Sequence, residues 1–197
     1  MPPEAQPLGL RERKKAKTRA AIQRQALRLF RQQGYDETTV AQIADQVEIS
    51  PSTFFRYFPT KEDVVLYDPF DPVIFAAFEA QAAELEPIAA LRRAIKGAYA
   101  GLRAEEMEEQ RERAELCLAV PELRMRMLEQ TLLATRDLAG MLAKRVVRTV
   151  DDPELLTYTG AVLGGLLAAT LAAIAEGRDL FEAIDASLAY LEGRLRL

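Results

Sequence analysis

The sequence predicts an all-α chain of two domains, and three observations carry that reading. Apolar residues recur at i, i+3, i+4 and i+7 along most of the 197 residues, and no stretch alternates apolar with polar as a half-buried strand would. Helix starts are punctuated in a regular way. Pro51 follows Ser50 and Pro153 follows Asp152, each a capping side chain before a proline whose missing N–H costs nothing at the first helical position, and Pro87 and Pro121 stand near two further starts. Finally, the six residues Tyr67-Asp68-Pro69-Phe70-Asp71-Pro72 interrupt the helical pattern about a third of the way along, which places a domain boundary there.

The first ten residues, MPPEAQPLGL, lack a charged segment leading into an apolar run; they read as a disordered arm rather than a signal peptide. A helix from Arg11 or Lys17 to Gln33 carries Ile22, Ala26, Leu29 and Phe30 on one face, with Gly34 as its terminator. Val40, Ile43, Ala44 and Val47 form the apolar face of a second helix capped by Thr39. Glu48 and Ile49 leave almost no linker before Ser50 and Pro51 open a third helix through Tyr57, which Pro59 stops. Thr60 and Asp63 form a capping box for a fourth helix from Lys61 to about Tyr67. The second and third helices make a helix-turn-helix, a device that lays one helix in the major groove of DNA. Phe54 and Phe58 are its expected core, against Phe30 and Ile43.

Charge supports that reading. Nine basic side chains stand against Glu12 alone between Arg11 and Gln33. The whole chain is net −4, so a basic head sits on an acidic body, an asymmetry that orients a protein toward phosphate. Lys61 at a helix N-terminus, where the macrodipole disfavours a cation, makes sense beside an anion. We therefore expect Thr39, Tyr57 and Lys61 on phosphates and Ser52, Thr53 and Arg56 in the groove.

The ordered set Ile22–Phe30, Gly34-Tyr35, Thr39–Ala44, Ser50, Thr53, Phe55-Arg56-Tyr57-Phe58-Pro59 and Lys61 resembles the DNA-binding domain of the TetR (tetracycline-repressor-like) family of transcriptional regulators. The resemblance covers about the first third of the chain and implies contacts from Ser50 to Thr53 with Pro51 at the helix start, and from Phe55 to Tyr57. Two positions depart from the family pattern: Ser52 stands where glycine is usual and Phe55 where tyrosine is usual. Phe55 has no phenolic hydroxyl for a phosphate, but its ring can pack on sugar or a thymine methyl.

Past the boundary, helices are predicted near 72–85, 87–104, 105–118, 122–149, 153–176 and 179–195, with Gly177 ending the penultimate one and Asp179 capping the last. From Leu155 to Ala175 no residue is charged. That length could span a bilayer, but Ala, Gly and Thr dominate it, and it lacks basic flanks and an aromatic belt, so we expect no membrane role. Gly160, Gly164, Ala168 and Ala172 recur every four residues as a stripe that lets a helix approach closely, and the final helix offers Ile184, Leu188 and Leu191. The family resemblance implies that these two helices pair with their copies as a homodimer, which suits an inverted-repeat operator.

The resemblance also implies an effector pocket between the fourth helix and the dimer bundle. Phe75, Phe78, Leu116, Met125, Leu128, Leu132 and Tyr158 are its candidate lining, and they favour a small apolar effector. Glu115–Met127 looks like members grouped with the mycofactocin regulator, associated with acyl-CoA-like ligands, for whose phosphates Arg92, Arg93, Arg124, Arg126 and Arg136 are available. Enzymatic chemistry finds little to work with. The chain has no histidine, which removes His-based triads and most zinc sites, and no glycine-rich phosphate loop follows a strand. No metal or cofactor is expected. A single cysteine, Cys117, forbids an internal disulfide and suits a cytoplasmic setting. A helical adaptor that binds protein is the other class, and the basic head argues against it.

Overall fold

Ten helices form among the described residues, 9–197, of this computed structural model, and caps read from the sequence start several of them. The helices are α1 Leu10–Gln33, α2 Val40–Gln46, α3 Pro51–Tyr57, α4 Lys61–Leu66, α5 Asp71–Glu79, α6 Pro87–Tyr99, α7 Ala104–Ala119, α8 Pro121–Val146, α9 Pro153–Glu176 and α10 Leu180–Glu192. Thr39 and Thr60 both close capping boxes, with Gln42 and Asp63 as partners. Ser50, Asp152 and Asp179 accept bonds from the free N–H groups of α3, α9 and α10. Most of the arm expected over residues 1–10 lies outside the described residues; Leu10 already belongs to α1.

The chain divides into two compact units between Tyr67 and Asp68. In the first, Ile22, Ala26, Phe30, Ile43, Phe54 and Phe58 are buried around α1–α4. In the second, α6 lies among its neighbours, with Ile88, Ala90, Leu91 and Ala94 buried against Ile74 and Phe78 of α5, Leu138 and Leu142 of α8, Leu155, Tyr158 and Val162 of α9, and Leu188 of α10.

Several helix ends and faces differ from expectation. α5 ends at Glu79 rather than near residue 85, although good helix formers continue. The reason is distant in sequence. The Arg145 guanidinium donates to the carbonyls of Ala82 and Leu85 and lies over the Phe78 ring, holding the turn that follows α5 in place. α6 stops at Tyr99, short of 104, and α7 opens beyond it, where the Glu106 carboxylate accepts from the Arg103 amide at 3.0 Å.

Leu188, expected at a dimer face, is fully buried within the protomer, because α10 turns its apolar side onto α6 and α9. Ile184 and Leu191 pack against that same core. Gly165 is where α9 and α10 approach: a Cβ there would lie 2.9 Å from Leu191 Cδ1. A Cβ at Gly160 or Gly164 would meet nothing within 4 Å, so that edge of the stripe stays open in the protomer. α9 is long and apolar enough to cross a membrane by length and composition, and only 22% of its most apolar window is buried here.

Candidate nucleic-acid interface

The recognition element is α3, and its aromatic residues divide by face. Phe54 and Phe58 point inward and are buried, while Phe55 is half exposed and Arg56 stands in solvent. The helix start is a knot of hydroxyls. Ser50 Oγ accepts from the Thr53 amide at 3.1 Å and lies 2.9 Å from both Ser52 Oγ and Thr53 Oγ1. Ser50, Pro51 and Ser52 are exposed, so this polar tip is free to meet a groove.

α1 meets α3 at its other end. Arg19 Nη2 donates to the Tyr57 carbonyl at 3.0 Å and its guanidinium lies 4.7 Å from the Tyr67 ring centroid. Arg19 therefore caps α3 and leaves the set of cations available to DNA. Beyond it, Leu10, Arg11, Glu12, Lys14, Lys15, Arg56 and Tyr57 line a cleft of about 840 Å³. Four cations thus converge on one groove beside the recognition helix. The sequence showed each charge but not their meeting, since Arg56 and Lys15 are brought together only by the packing of α1 on α3.

Lys61, expected on a phosphate, instead turns inward. Its Nζ donates to the carbonyls of Tyr35 at 2.8 Å and Thr38 at 3.2 Å, and lies 4.0 Å from the Tyr35 ring centroid. The cation that looked misplaced at a helix start is balanced by carbonyls of the α1–α2 connection. Its neighbour Glu62 takes the Tyr35 hydroxyl at 3.0 Å. Partial burial works against the Glu62 charge, but bonds from its own backbone, Thr60 and Tyr35 outweigh it and hold the carboxyl below the usual range. Gln23, which the sequence did not flag, donates to the carbonyls of Val64 and Tyr67 at 2.9 and 2.7 Å and ties α1 to the end of α4. Thr39 is exposed at the start of α2, with its side chain engaged in its capping box.

These features agree with what the chain matches. Residues 22–67 match the bacterial regulatory proteins of the tetR family, and residues 85–196 match the MftR C-terminal domain. The chain belongs to the TetR family. Members of the TetR family are DNA-binding regulators, not enzymes. Among TetR-family relatives, the HTH-type transcriptional regulator TcmR of Streptomyces glaucescens is 43% identical over 102 residues, 51% of this chain and 45% of that protein. The uncharacterized HTH-type regulator YuxN of Bacillus subtilis is 49% identical over 41 residues, 21% of this chain and 14% of that one. The chain thus spans less than half the length of these curated relatives. Thermus thermophilus FadR, a repressor solved with lauroyl-CoA, is similar over 91% of this chain and 96% of its own, at 29% identity and a TM-score of 0.52. SmeT, solved with triclosan, shares the TetR-family fold over 88% of this chain and 91% of its own, at 18% identity and a TM-score of 0.58.

The residues expected to line a TetR-type effector pocket are not brought together. Met125, Leu128 and Leu132 stand on the outer face of α8, between 40% and 74% exposed, because α8 packs inward through Leu138 and Leu142 instead. Phe75 is exposed and Leu116 half-buried, whereas Phe78 and Tyr158 belong to the core. Burial pushes the Tyr158 hydroxyl up to about 12.

Proposed function

We propose that this protein is a ligand-responsive transcriptional regulator, working in the cytoplasm, that binds double-stranded DNA as a homodimer and represses from an inverted-repeat operator. The observation that carries the reading is the cleft where Arg11, Lys14, Lys15 and Arg56 meet beside α3. Four cations around a groove give sequence-independent affinity through counterion release, and the exposed surface of α3, with Ser52 and Thr53 at its start and Arg56 in its last turn, gives the means to read bases. One recognition helix reads few base pairs; a two-fold dimer presents two of them to a palindrome. A small-molecule effector would release the operator by favouring a conformer that binds it less well, as the lauroyl-CoA bound to FadR suggests by analogy. α4 is the last helix before the unit boundary, so a tilt there would change the spacing of the two recognition helices.

The test is binding of fluorescent duplexes at graded salt. The logarithm of the affinity should fall steeply with that of salt, and removing a phosphate contact such as Lys15 should lower the slope by about one. Arg56→Ala should cost ~1–3 kcal/mol on a selected operator and relax specificity at one position. A uniform loss on every sequence would make Arg56 a phosphate contact instead, and salt-independent binding would remove the DNA reading altogether.

A further inference from the structure

α3 is only seven residues long, too short to keep its shape unaided. Its start is fixed by the Ser50 cap. Its end is open, because Pro59 cannot continue it and the Tyr57 carbonyl is left without a helical donor. Arg19 of α1 fills that place, with Nη2 donating to the Tyr57 carbonyl at 3.0 Å. A cation suits a helix end, where unpaired carbonyls carry partial negative charge. We propose that Arg19 is a positioning residue for base recognition, holding the last turn of α3 against α1 so that operator discrimination depends on it although its own side chain meets no phosphate; the claim rests on the DNA-binding reading above.

The grip is directional. The guanidinium lies 5.4 Å from the ring centroid of Phe58 and 4.7 Å from that of Tyr67, two rings set edge to face 5.8 Å apart. A planar group that rests on rings while its edge donates to a carbonyl has a defined orientation, which an ammonium on a rotatable stem lacks.

The grip also works against stability. Arg19 Nε is buried and has no hydrogen-bond partner among the described residues. A buried donor without a partner is destabilising, and an apolar side chain of similar length would fill the same space without that loss. Packing alone does not call for an arginine here; the carbonyl it holds does.

That carbonyl belongs to the residue after Arg56. Arg56 and Tyr57 line the basic cleft with Arg11, Lys14 and Lys15, which come from the same helix as Arg19. One turn further along α1, Gln23 donates to the carbonyls of Val64 and Tyr67, so α1 holds the chain on both sides of the α3–α4 connection. α1 therefore carries phosphate-binding cations and fixes the base-reading helix relative to them. Phosphate contacts set register and base contacts specify, so discrimination needs a fixed offset between the two.

The experiment compares two duplexes by fluorescence anisotropy at graded salt, one selected by the full-length parent from a random-sequence pool and the other a scramble of it. Arg19→Gln should weaken the selected duplex about tenfold, as when one base contact is lost, and the scramble by less than about twofold, with the salt slope unchanged. Arg19→Lys keeps the charge and reaches the carbonyl without the ring contacts, so the loss on the selected duplex should shrink to about threefold. Lys15→Gln is the contrast: both duplexes weaken together and the slope falls by about one. A merely structural arginine would leave the ratio of the two affinities unchanged, because loss of folded protein scales both alike. Circular dichroism melts set a temperature at which the variants are folded, and Arg19→Lys decides if Arg19→Gln does not fold. An unchanged ratio in Arg19→Gln, or in Arg19→Lys where it alone folds, overturns the proposal. So does a slope lowered by about one in Arg19→Gln, which would make Arg19 a phosphate contact. A parent that selects no sequence from the pool removes the DNA-binding reading itself, and the proposal with it.

Discussion

Two residues show how local physics decides roles that sequence leaves ambiguous. Lys61 has spent two of its three N–H groups on the carbonyls of Tyr35 and Thr38, both in buried residues. Lys61→Met should therefore cost about 2 kcal/mol, since hydrogen bonds from a charged donor are worth more than neutral ones and the carbonyls are left unpaired. Urea denaturation reads the loss, and the salt slope of DNA binding should stay unchanged. A slope lowered by about one with stability intact would return Lys61 to a phosphate. Val147 is the second case. It ends α8 in the left-handed region, at φ 54° and ψ 48°, and is 93% exposed. A β-branched side chain is strained there and packs on nothing, so Val147→Asn should stabilise the protein by about 1 kcal/mol. A midpoint that falls would mean the side chain is covered in solution.

At the scale of elements, the junction before α5 carries a charge cluster with a definite pH signature. Arg113 of α7 reaches across to Asp68 at 2.6 Å, with both side chains largely buried, and Asp71 sits beside them at the start of α5. Although the residue is exposed, the crowding of protein around its carboxyl, and then repulsion from Asp68, raise Asp71 to about 6, against a weaker opposing pull from Arg113. Its folded value lies above its unfolded one. The stability it contributes is therefore complete below the ordinary value of 3.8 and is lost as pH rises through about 6. Asp71→Asn should accordingly be more stable than the parent at pH 7.5, lose most of that advantage by pH 4.5 and the rest below 3.8, in urea midpoints taken across the range. A constant difference would place Asp71 in ordinary solvent. Neither this cluster nor the end of α5 was legible in the sequence, and for one reason. Caps such as Thr39, Ser50, Thr60 and Asp152 act within three residues, so their helices could be placed from the chain alone. Arg145 and Arg113 act on partners 60 and 45 residues away, and nothing local marks them. The effector residues failed similarly: Met125, Leu128 and Leu132 are apolar at helical spacing, but which face of α8 packs is settled by its neighbours.

For the whole molecule, association turns on α9. Two of its three glycines have separate roles. Gly165 accommodates Leu191 of the same protomer and its carbonyl accepts from the Ser187 hydroxyl at 3.1 Å, so it serves the fold. Gly164, one residue away, faces empty space. If a second copy lies along that open edge, Gly164→Leu should break the dimer without harming the protomer, because leucine is the better helix former by about 0.8 kcal/mol and meets no clash inside the chain. Light scattering after gel filtration should give a dimer for the parent and a monomer for the variant. The parent's melting temperature should also rise with protein concentration, since association stabilises the folded state, while that of Gly164→Leu should not. Gly165→Leu is the contrasting case and should lower stability at every concentration by crowding Leu191. Operator binding should then follow the dimer. A monomeric Gly164→Leu protein keeps the basic cleft and its salt-dependent affinity for any duplex, but loses the paired recognition helices that discriminate a palindrome. A variant that remains dimeric would move the interface off this edge of α9, and a parent that is monomeric with and without DNA would remove the two-fold reading.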